Sequence, residues 1–120
     1  MSKKELLKFL YNLLNDAMLA DFKINIYNVY YGESDWGFDY IPCEIVGVED
    51  NYIIAKDNDD EFDIPIVEFI ELINKLDCDI VKFKLNHNNK DIFFTINEKD
   101  PIVDIGYSDK CISLNVKMLV

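Results

Sequence analysis

Two stretches of the chain carry apolar residues at the spacing of a helix. Leu6, Leu10 and Leu13 recur every three or four positions, and Ser2 with Glu5 forms a capping-box pattern just before them. This pattern predicts a first helix over about residues 3–19. A second helix is predicted over about residues 65–76, where a proline suits the first turn and apolar residues cover nearly the whole circumference.

Seven further stretches are rich in β-branched and aromatic residues or alternate between apolar and polar positions, which is typical of strands. The three that precede the second helix are 22–31, 41–48 and 51–56. The four that follow it are 81–85, 91–97, 102–107 and 112–118. The alternation breaks at residues 27–29, which indicates a bulge or a strand end.

Short turns separate the last four strands, and strands joined by short turns pair antiparallel. We therefore expect a four-stranded meander at the C-terminal end, apolar on one face and polar on the other. The order α-βββ-α-ββββ predicts an α+β domain, an antiparallel sheet covered by two helices. The length of 120 residues fits a single domain over 1–120.

The charge of the chain is concentrated in its middle. The net charge is −11, and all 12 basic residues are lysines. Residues 1–32 and 80–120 each carry +1, whereas residues 33–79, called here the acidic middle, hold 15 acids and two lysines, a net charge of −13. Direct binding to nucleic acid is disfavoured, because phosphate neutralisation dominates that affinity. Acids crowded in this way repel one another, and we expect them to provide a field that attracts a basic partner.

Two parts of the acidic middle are candidates for an interface. Aromatic residues interleave with acids in a predicted loop, "YYGESDWGFDY" at 30–40, and the stretch "DNDDEFD" at 57–63 is almost continuously acidic. Aromatic anchors and complementary charge are typical of protein interfaces. Folding of the aromatic side chains into the core is the competing interpretation for the first stretch, and a solvated turn is the competing one for the second. The expected partner-binding residues are Glu33, Asp35, Trp36, Asp39, Asp59, Asp60 and Glu61.

A calcium loop is a weaker interpretation of the second stretch. Asp57, Asp59, Glu61 and Glu68 have the spacing of EF-hand ligands at positions 1, 3, 5 and 12. Position 6, which needs glycine for a sharp turn, is Phe62, and a strand rather than a helix is predicted before the loop. We therefore expect no specific metal site.

The sequence contains no catalytic motif that we can identify, and we expect neither enzymatic activity nor a cofactor. The three cysteines are widely spaced, which favours buried free thiols in a reducing cytoplasm over a disulfide framework or a zinc site. His87, the one histidine, falls in the predicted turn "NHNN". The N-terminal apolar stretch is interrupted by polar residues and lacks a cleavage site, so neither a signal peptide nor a membrane anchor is expected.

These observations favour a small inhibitor that binds a basic nuclease or another nucleic-acid-handling protein. An immunity protein that neutralises a toxin and a phage DNA mimic that blocks a defence nuclease, such as an anti-CRISPR, fit equally well. One alternative is a structural or assembly subunit whose acids keep it soluble. Another is a divalent-ion binding module. Neither the partner nor the oligomeric state follows from the sequence.

Overall fold

The computed structural model describes residues 1–34, 37–58 and 63–119, with the side chains of residues 31, 33, 34, 38 and 39 left out. These ranges contain two helices and nine strands. The helices are α1 (Lys3–Leu14) and α2 (Ile66–Asn74). The strands before α2 are β1 (Lys23–Ser34), β2 (Gly37–Glu49), β3 (Tyr52–Asp57) and β4 (Ile64–Pro65). Those after it are β5 (Phe83–His87), β6 (Lys90–Ile96), β7 (Ile102–Gly106), β8 (Cys111–Leu114) and β9 (Val116–Met118).

Both predicted helices are present, and each is shorter than expected. Ser2 Oγ accepts a hydrogen bond from the backbone N–H of Glu5 at 3.1 Å, so the predicted cap of α1 is confirmed. Helix α1 ends before residue 19 because the Asp16 side chain accepts from the N–H of Met18 at 2.8 Å, a local turn that competes with the helix. Neither helix, within the described ranges, is long and apolar enough to cross a membrane.

The core is one continuous hydrophobic cluster to which both helices and the inner faces of the strands contribute. At its centre, three fully buried phenylalanines stack in a column. The ring of Phe83 lies 6.2 Å from that of Phe69 and 5.0 Å from that of Phe94, with interplanar angles of 18° and 7°. The column joins α2 to neighbouring strands β5 and β6, and therefore fixes the helix on the sheet.

The prediction of an α+β domain of order α-βββ-α-ββββ, with an antiparallel sheet and a C-terminal meander covered by two helices, is wrong. The described residues contain four strands before α2 and five after it, and these nine strands form one mixed sheet. Neighbouring strands follow the order β7-β8-β1-β2-β3-β5-β6-β9, and β4 pairs with β1 outside this path. Two pairs are parallel, β1 with β8 and β3 with β5. Parallel strands need a long crossover connection between them, and the one that joins β3 to β5 contains α2. The bulge expected near residue 28 is confirmed by a shift of register between Ile26 and Val29.

The meander fails at Asn115, the residue between β8 and β9. The predicted turn "EKDP" at 98–101 does not fold β7 back onto β6. Instead, the two ends of this connection both bind Asn115. Asn97 N–H donates to Asn115 O at 2.9 Å, and Asn115 N–H donates to Pro101 O at 2.8 Å. The predicted strand 112–118 is thereby divided between two neighbours: β8 pairs with β7 and β1, and β9 pairs with β6. Residues 111–118 consequently supply two strands that lie far apart in the sheet, since β8 is the second strand of the path and β9 is the last.

Candidate protein-binding surface

The structure describes none of the seven side chains predicted to bind a partner. Residues 35, 36 and 59–61 lie outside the described residues, and for Glu33 and Asp39 only the backbone is described. The backbone alone changes one expectation. The segment predicted as a loop is an antiparallel hairpin, in which Gly32 pairs with Asp39 and Ser34 with Gly37. Gly37 has φ of 124°, a conformation that side-chain-bearing residues rarely adopt, so glycine is needed there.

We call residues 30–34 and 37–40 the ribbon. At its base, Tyr30 and Tyr40 are direct cross-strand partners. Their rings meet edge to face, with centroids 6.4 Å apart, and their exposed fractions are 39% and 53%. These two of the five aromatic residues of the stretch therefore do not fold into the core. A large apolar surface with a polar hydroxyl is what interface anchors usually offer.

The second acidic stretch begins at a contact that the sequence did not predict. Parallel pairing of β3 with β5 brings Asp57 beside His87, and the carboxylate is in direct polar contact with Nδ1 of the imidazole. His87 is therefore the half-buried end of β5 rather than a surface turn residue. The turn itself is Asn88–Asn89, both with positive φ. No local signal could have shown this pair, since its members are 30 positions apart.

Cys43 lies on the other side of Asp57, as its partner on β2. The thiol donates to the carbonyl of Ile41 at 3.4 Å, and the residue is buried. Burial, with a smaller contribution from the Asp57 carboxylate, raises the pKa of the Cys43 thiol from 9.0 to about 12. An adjacent imidazole can activate a thiol, but here β3, which carries the Asp57 carboxylate, lies between Cys43 on β2 and His87 on β5. The arrangement therefore keeps Cys43 protonated and unreactive.

The protonated state of Cys43 makes the stability depend on pH. In the unfolded chain the thiol ionises near its ordinary pKa, whereas in the folded chain it keeps its proton until about pH 12. Its contribution is fully present below pH 9 and is lost as the pH rises from there toward 12. Between pH 8 and pH 10 we expect the free energy of unfolding to fall by about 1 kcal/mol more for the wild type than for Cys43→Ala. Urea denaturation at both pH values measures the difference, and parallel pH dependences would contradict a buried protonated thiol.

A second group of acids lies at the opposite end of β3. We call Glu49, Asp50, Asp77 and Asp79, all exposed, the turn cluster. Asn51 holds its two segments together, because its Nδ2 donates to Asp77 O at 2.8 Å and its Oδ1 accepts from Asp77 N–H at 2.9 Å. β3 is six residues long, so the cluster lies about 17 Å from Asp57 along the strand. The acidic middle is thus divided between two ends of the sheet.

Few of the acids of residues 33–79 whose side chains the structure describes contact a basic side chain. Only Asp57 among them does so, through His87. Glu44 accepts a hydrogen bond from Asn58 Nδ2 at 3.0 Å, which satisfies one oxygen without cancelling its charge. No group of three or more potential metal ligands occurs in the described part of the chain. No family model, curated protein or solved structure matches the chain.

Proposed function

We propose that this protein binds and inhibits a basic nucleic-acid-handling protein, such as a nuclease, in the cytoplasm. The partner would be held through the acidic middle, without a cofactor, a catalytic step or direct contact to nucleic acid. An immunity protein and a phage inhibitor of a defence nuclease remain the two settings, and the identity of the partner would distinguish them. The observation that carries the proposal is the exposed Tyr30–Tyr40 pair at the base of a hairpin that leads into the acidic middle.

Two physical arguments support this function. The acids of the middle segment are concentrated and largely unpaired among the described residues, so they produce a field that would steer a basic partner and raise the rate of association. The tyrosine pair adds apolar contact area that charge alone does not provide. A surface that served only for solubility would need neither the segregation of charge nor exposed aromatic rings.

The test is a pull-down from the lysate of the source organism, eluted with a salt gradient and compared with two variants. The first variant neutralises five predicted interface acids: Asp35→Asn, Asp39→Asn, Asp59→Asn, Asp60→Asn and Glu61→Gln. The matched control neutralises the five acids of residues 80–120: Asp91→Asn, Glu98→Gln, Asp100→Asn, Asp104→Asn and Asp109→Asn. Both variants change the net charge by the same amount.

We expect the wild type to retain a basic nucleic-acid-binding protein, identified by mass spectrometry. The five-acid variant should release it at lower salt, with an affinity at least about tenfold weaker, because interfacial charge pairs contribute strongly to such complexes. The control should change the affinity less than about twofold, as expected for acids outside the interface. Equal losses in both variants would indicate attraction by net charge alone. Retention of no basic protein would contradict the proposal and favour a structural subunit.

A further inference from the structure

A polar cavity of about 250 Å³ lies on the face of the sheet that is opposite the core, where β7, β8 and β1 are neighbours. Ile24 and Ile112 pair across β1 and β8 and lie in the core. Because side chains alternate between the two faces of a strand, the next row of paired residues, Asn25, Ser113 and Asp104, lies on the outer face. We call this space the outer cavity, and its lining includes Asn25, Tyr27, Asp104, Gly106, Asp109 and Ser113.

Gly106 makes room in the outer cavity for a second carboxylate. A Cβ atom at this position would collide with the side chain of Asp109, which lies in the turn between β7 and β8 and reaches back over the glycine. The cavity is therefore lined by carboxylates from two directions, Asp104 on β7 and Asp109 on the turn. In the described part of the chain neither carboxylate forms an ion pair, and the lysine next to Asp109, Lys110, is paired instead with Asp21 Oδ2 at 2.7 Å.

The polar side chains of the outer cavity mostly accept hydrogen bonds. Ser113 is only 6% exposed and donates its one hydroxyl proton to Asn25 Oδ1 at 2.6 Å, so its oxygen can only accept from a ligand. The ionised carboxylates of Asp104 and Asp109 likewise only accept. A ligand that satisfies all three side chains must therefore donate several hydrogen bonds, and a positive charge on it would complement the two carboxylates.

The charge of its lining distinguishes the outer cavity from other cavities of the molecule. Three others are lined in part by lysines, with Lys82 in one, Lys3 and Lys4 in a second, and Lys99 and Lys117 in a third. None of the described residues that line the outer cavity is basic. The positive charge missing from its lining is the charge that a ligand would supply.

Size and geometry narrow the choice of cation. Drug-sized ligands occupy pockets of about 300–1,000 Å³, so the outer cavity suits a single small group. The described residues contain no group of three or more potential metal ligands, which disfavours a metal ion. A guanidinium presents its N–H groups in one plane and can reach two carboxylates on different sides, whereas an ammonium is a compact point charge. Tyr27, 40% exposed, adds an aromatic wall of the kind against which guanidinium groups pack.

We propose that the outer cavity binds the guanidinium group of a small free compound. Asp104 and Asp109 accept hydrogen bonds from its N–H groups on two sides, and the Ser113 hydroxyl accepts a further one. This binding site is separate from the proposed function, because it uses no residue of the acidic middle. Either proposal can therefore fail while the other stands.

Isothermal titration calorimetry of the full chain with methylguanidinium chloride tests the proposal, with potassium chloride at equal ionic strength as the blank. We expect saturable binding at one site with a Kd of about 1 mM, as two charged hydrogen-bonding partners provide. Methylammonium chloride should bind at least about fivefold more weakly, because it lacks the planar fork. Heats no larger than those of the blank would overturn the proposal. Equal affinity for methylammonium, or displacement of methylguanidinium by a lower concentration of calcium chloride, would also overturn it.

Variants of the two carboxylates locate the binding. Asp104→Asn and Asp109→Asn should each weaken methylguanidinium binding at least about tenfold, because each leaves one carboxylate to hold the cation. The matched control, Asp91→Asn, removes the same charge from an exposed position on β6 and should change the affinity less than about twofold. An equal loss in the control would show that net charge alone attracts the cation, and would overturn the proposal.

Gly106→Ala tests the geometry without changing the charge. The φ of Gly106 does not lie in the left-handed region, so the backbone accepts alanine, but the new Cβ atom must displace the Asp109 carboxylate. We expect methylguanidinium to bind at least about fivefold more weakly to this variant, with an unchanged circular dichroism spectrum. Wild-type affinity in the Gly106→Ala protein would contradict the role given to Asp109 and overturn the proposed site.

A guanidinium group could also come from an arginine of the basic partner, and competition distinguishes the two sources. Saturating methylguanidinium chloride, compared with potassium chloride at equal ionic strength, should leave the affinity for the partner retained on the salt gradient within about twofold. Release of the partner by methylguanidinium would identify its arginine as the occupant and overturn the assignment to a free compound. The proposed function would stand in either case.

Discussion

Phe83→Ala is expected to lower the free energy of unfolding by about 3–5 kcal/mol, a large part of the total stability of a domain of this size. Phe83 is the middle ring of the buried column, so its removal breaks both stacked contacts, with Phe69 and with Phe94. It also leaves a cavity between helix α2 and the sheet that backbone movement cannot fill. Urea denaturation followed by circular dichroism measures the loss.

Phe93→Ala is the matched control for this substitution. Phe93 lies next to Phe94 on β6 but is only half-buried, and its ring packs on Tyr52 with centroids 5.4 Å apart. We expect Phe93→Ala to lower the free energy of unfolding by less than half as much as Phe83→Ala does. If Phe83→Ala fails to fold, Phe83→Leu keeps most of the apolar volume and should lower the free energy of unfolding by less than half as much as expected for Phe83→Ala. Equal costs for Phe83→Ala and Phe93→Ala would contradict the central position of the column.

Ile112→Ala is expected to lower the free energy of unfolding by about 2–5 kcal/mol, whereas Val103→Ala should change it by no more than about 0.5 kcal/mol. Ile112 on β8 is fully buried and pairs with Ile24 on one side and Ile105 on the other. Val103 on the neighbouring strand β7 is 43% exposed. The difference follows from the position of β8 inside the sheet, and thermal denaturation of both variants measures it.

Amide hydrogen exchange tests the same feature more directly. A strand with neighbours on both sides has its N–H groups in hydrogen bonds on both edges, so residues 111–114 should exchange only on global unfolding. In the predicted meander this segment would be an edge strand, with every second amide open to water. Rapid exchange of alternate amides from Cys111 to Leu114 would therefore favour the meander over the parallel β1–β8 pair.

The local elements could be predicted from the sequence because their signals are local. Periodicity predicted both helices and the approximate positions of the long strands, and the break in alternation predicted the bulge in β1. The pairing of the strands could not be predicted in the same way. It depends on the hydrogen bonds that hold the 97–101 connection across Asn115, and nothing in "EKDP" distinguishes such a step from an ordinary turn.

The same distinction between local signals and long-range pairing applies to the candidate surface. The concentration of acids in residues 33–79 can be counted directly from the sequence. Its separation into the ribbon, the stretch after Asp57 and the turn cluster requires the hairpins and the crossover that contains α2. The Asp57–His87 pair could not be predicted for the same reason, since only the parallel pairing of β3 with β5 brings the two residues together.

The placement of β8 and β9, consecutive in the chain, near opposite ends of the strand order has a consequence for how fast the chain folds. The β1–β8 pair joins residues 88 positions apart, as in the hydrogen bond from Ser113 Oγ to Asn25 Oδ1. The β1–β2, β2–β3 and β5–β6 hairpins are local and can form early, but none of them includes β8. Because the entropy of a long loop must be lost before its contacts form, folding should be slow for a chain of this size. A transition state containing the hairpins but not the β1–β8 pair would then leave the acidic ribbon formed before the core is complete.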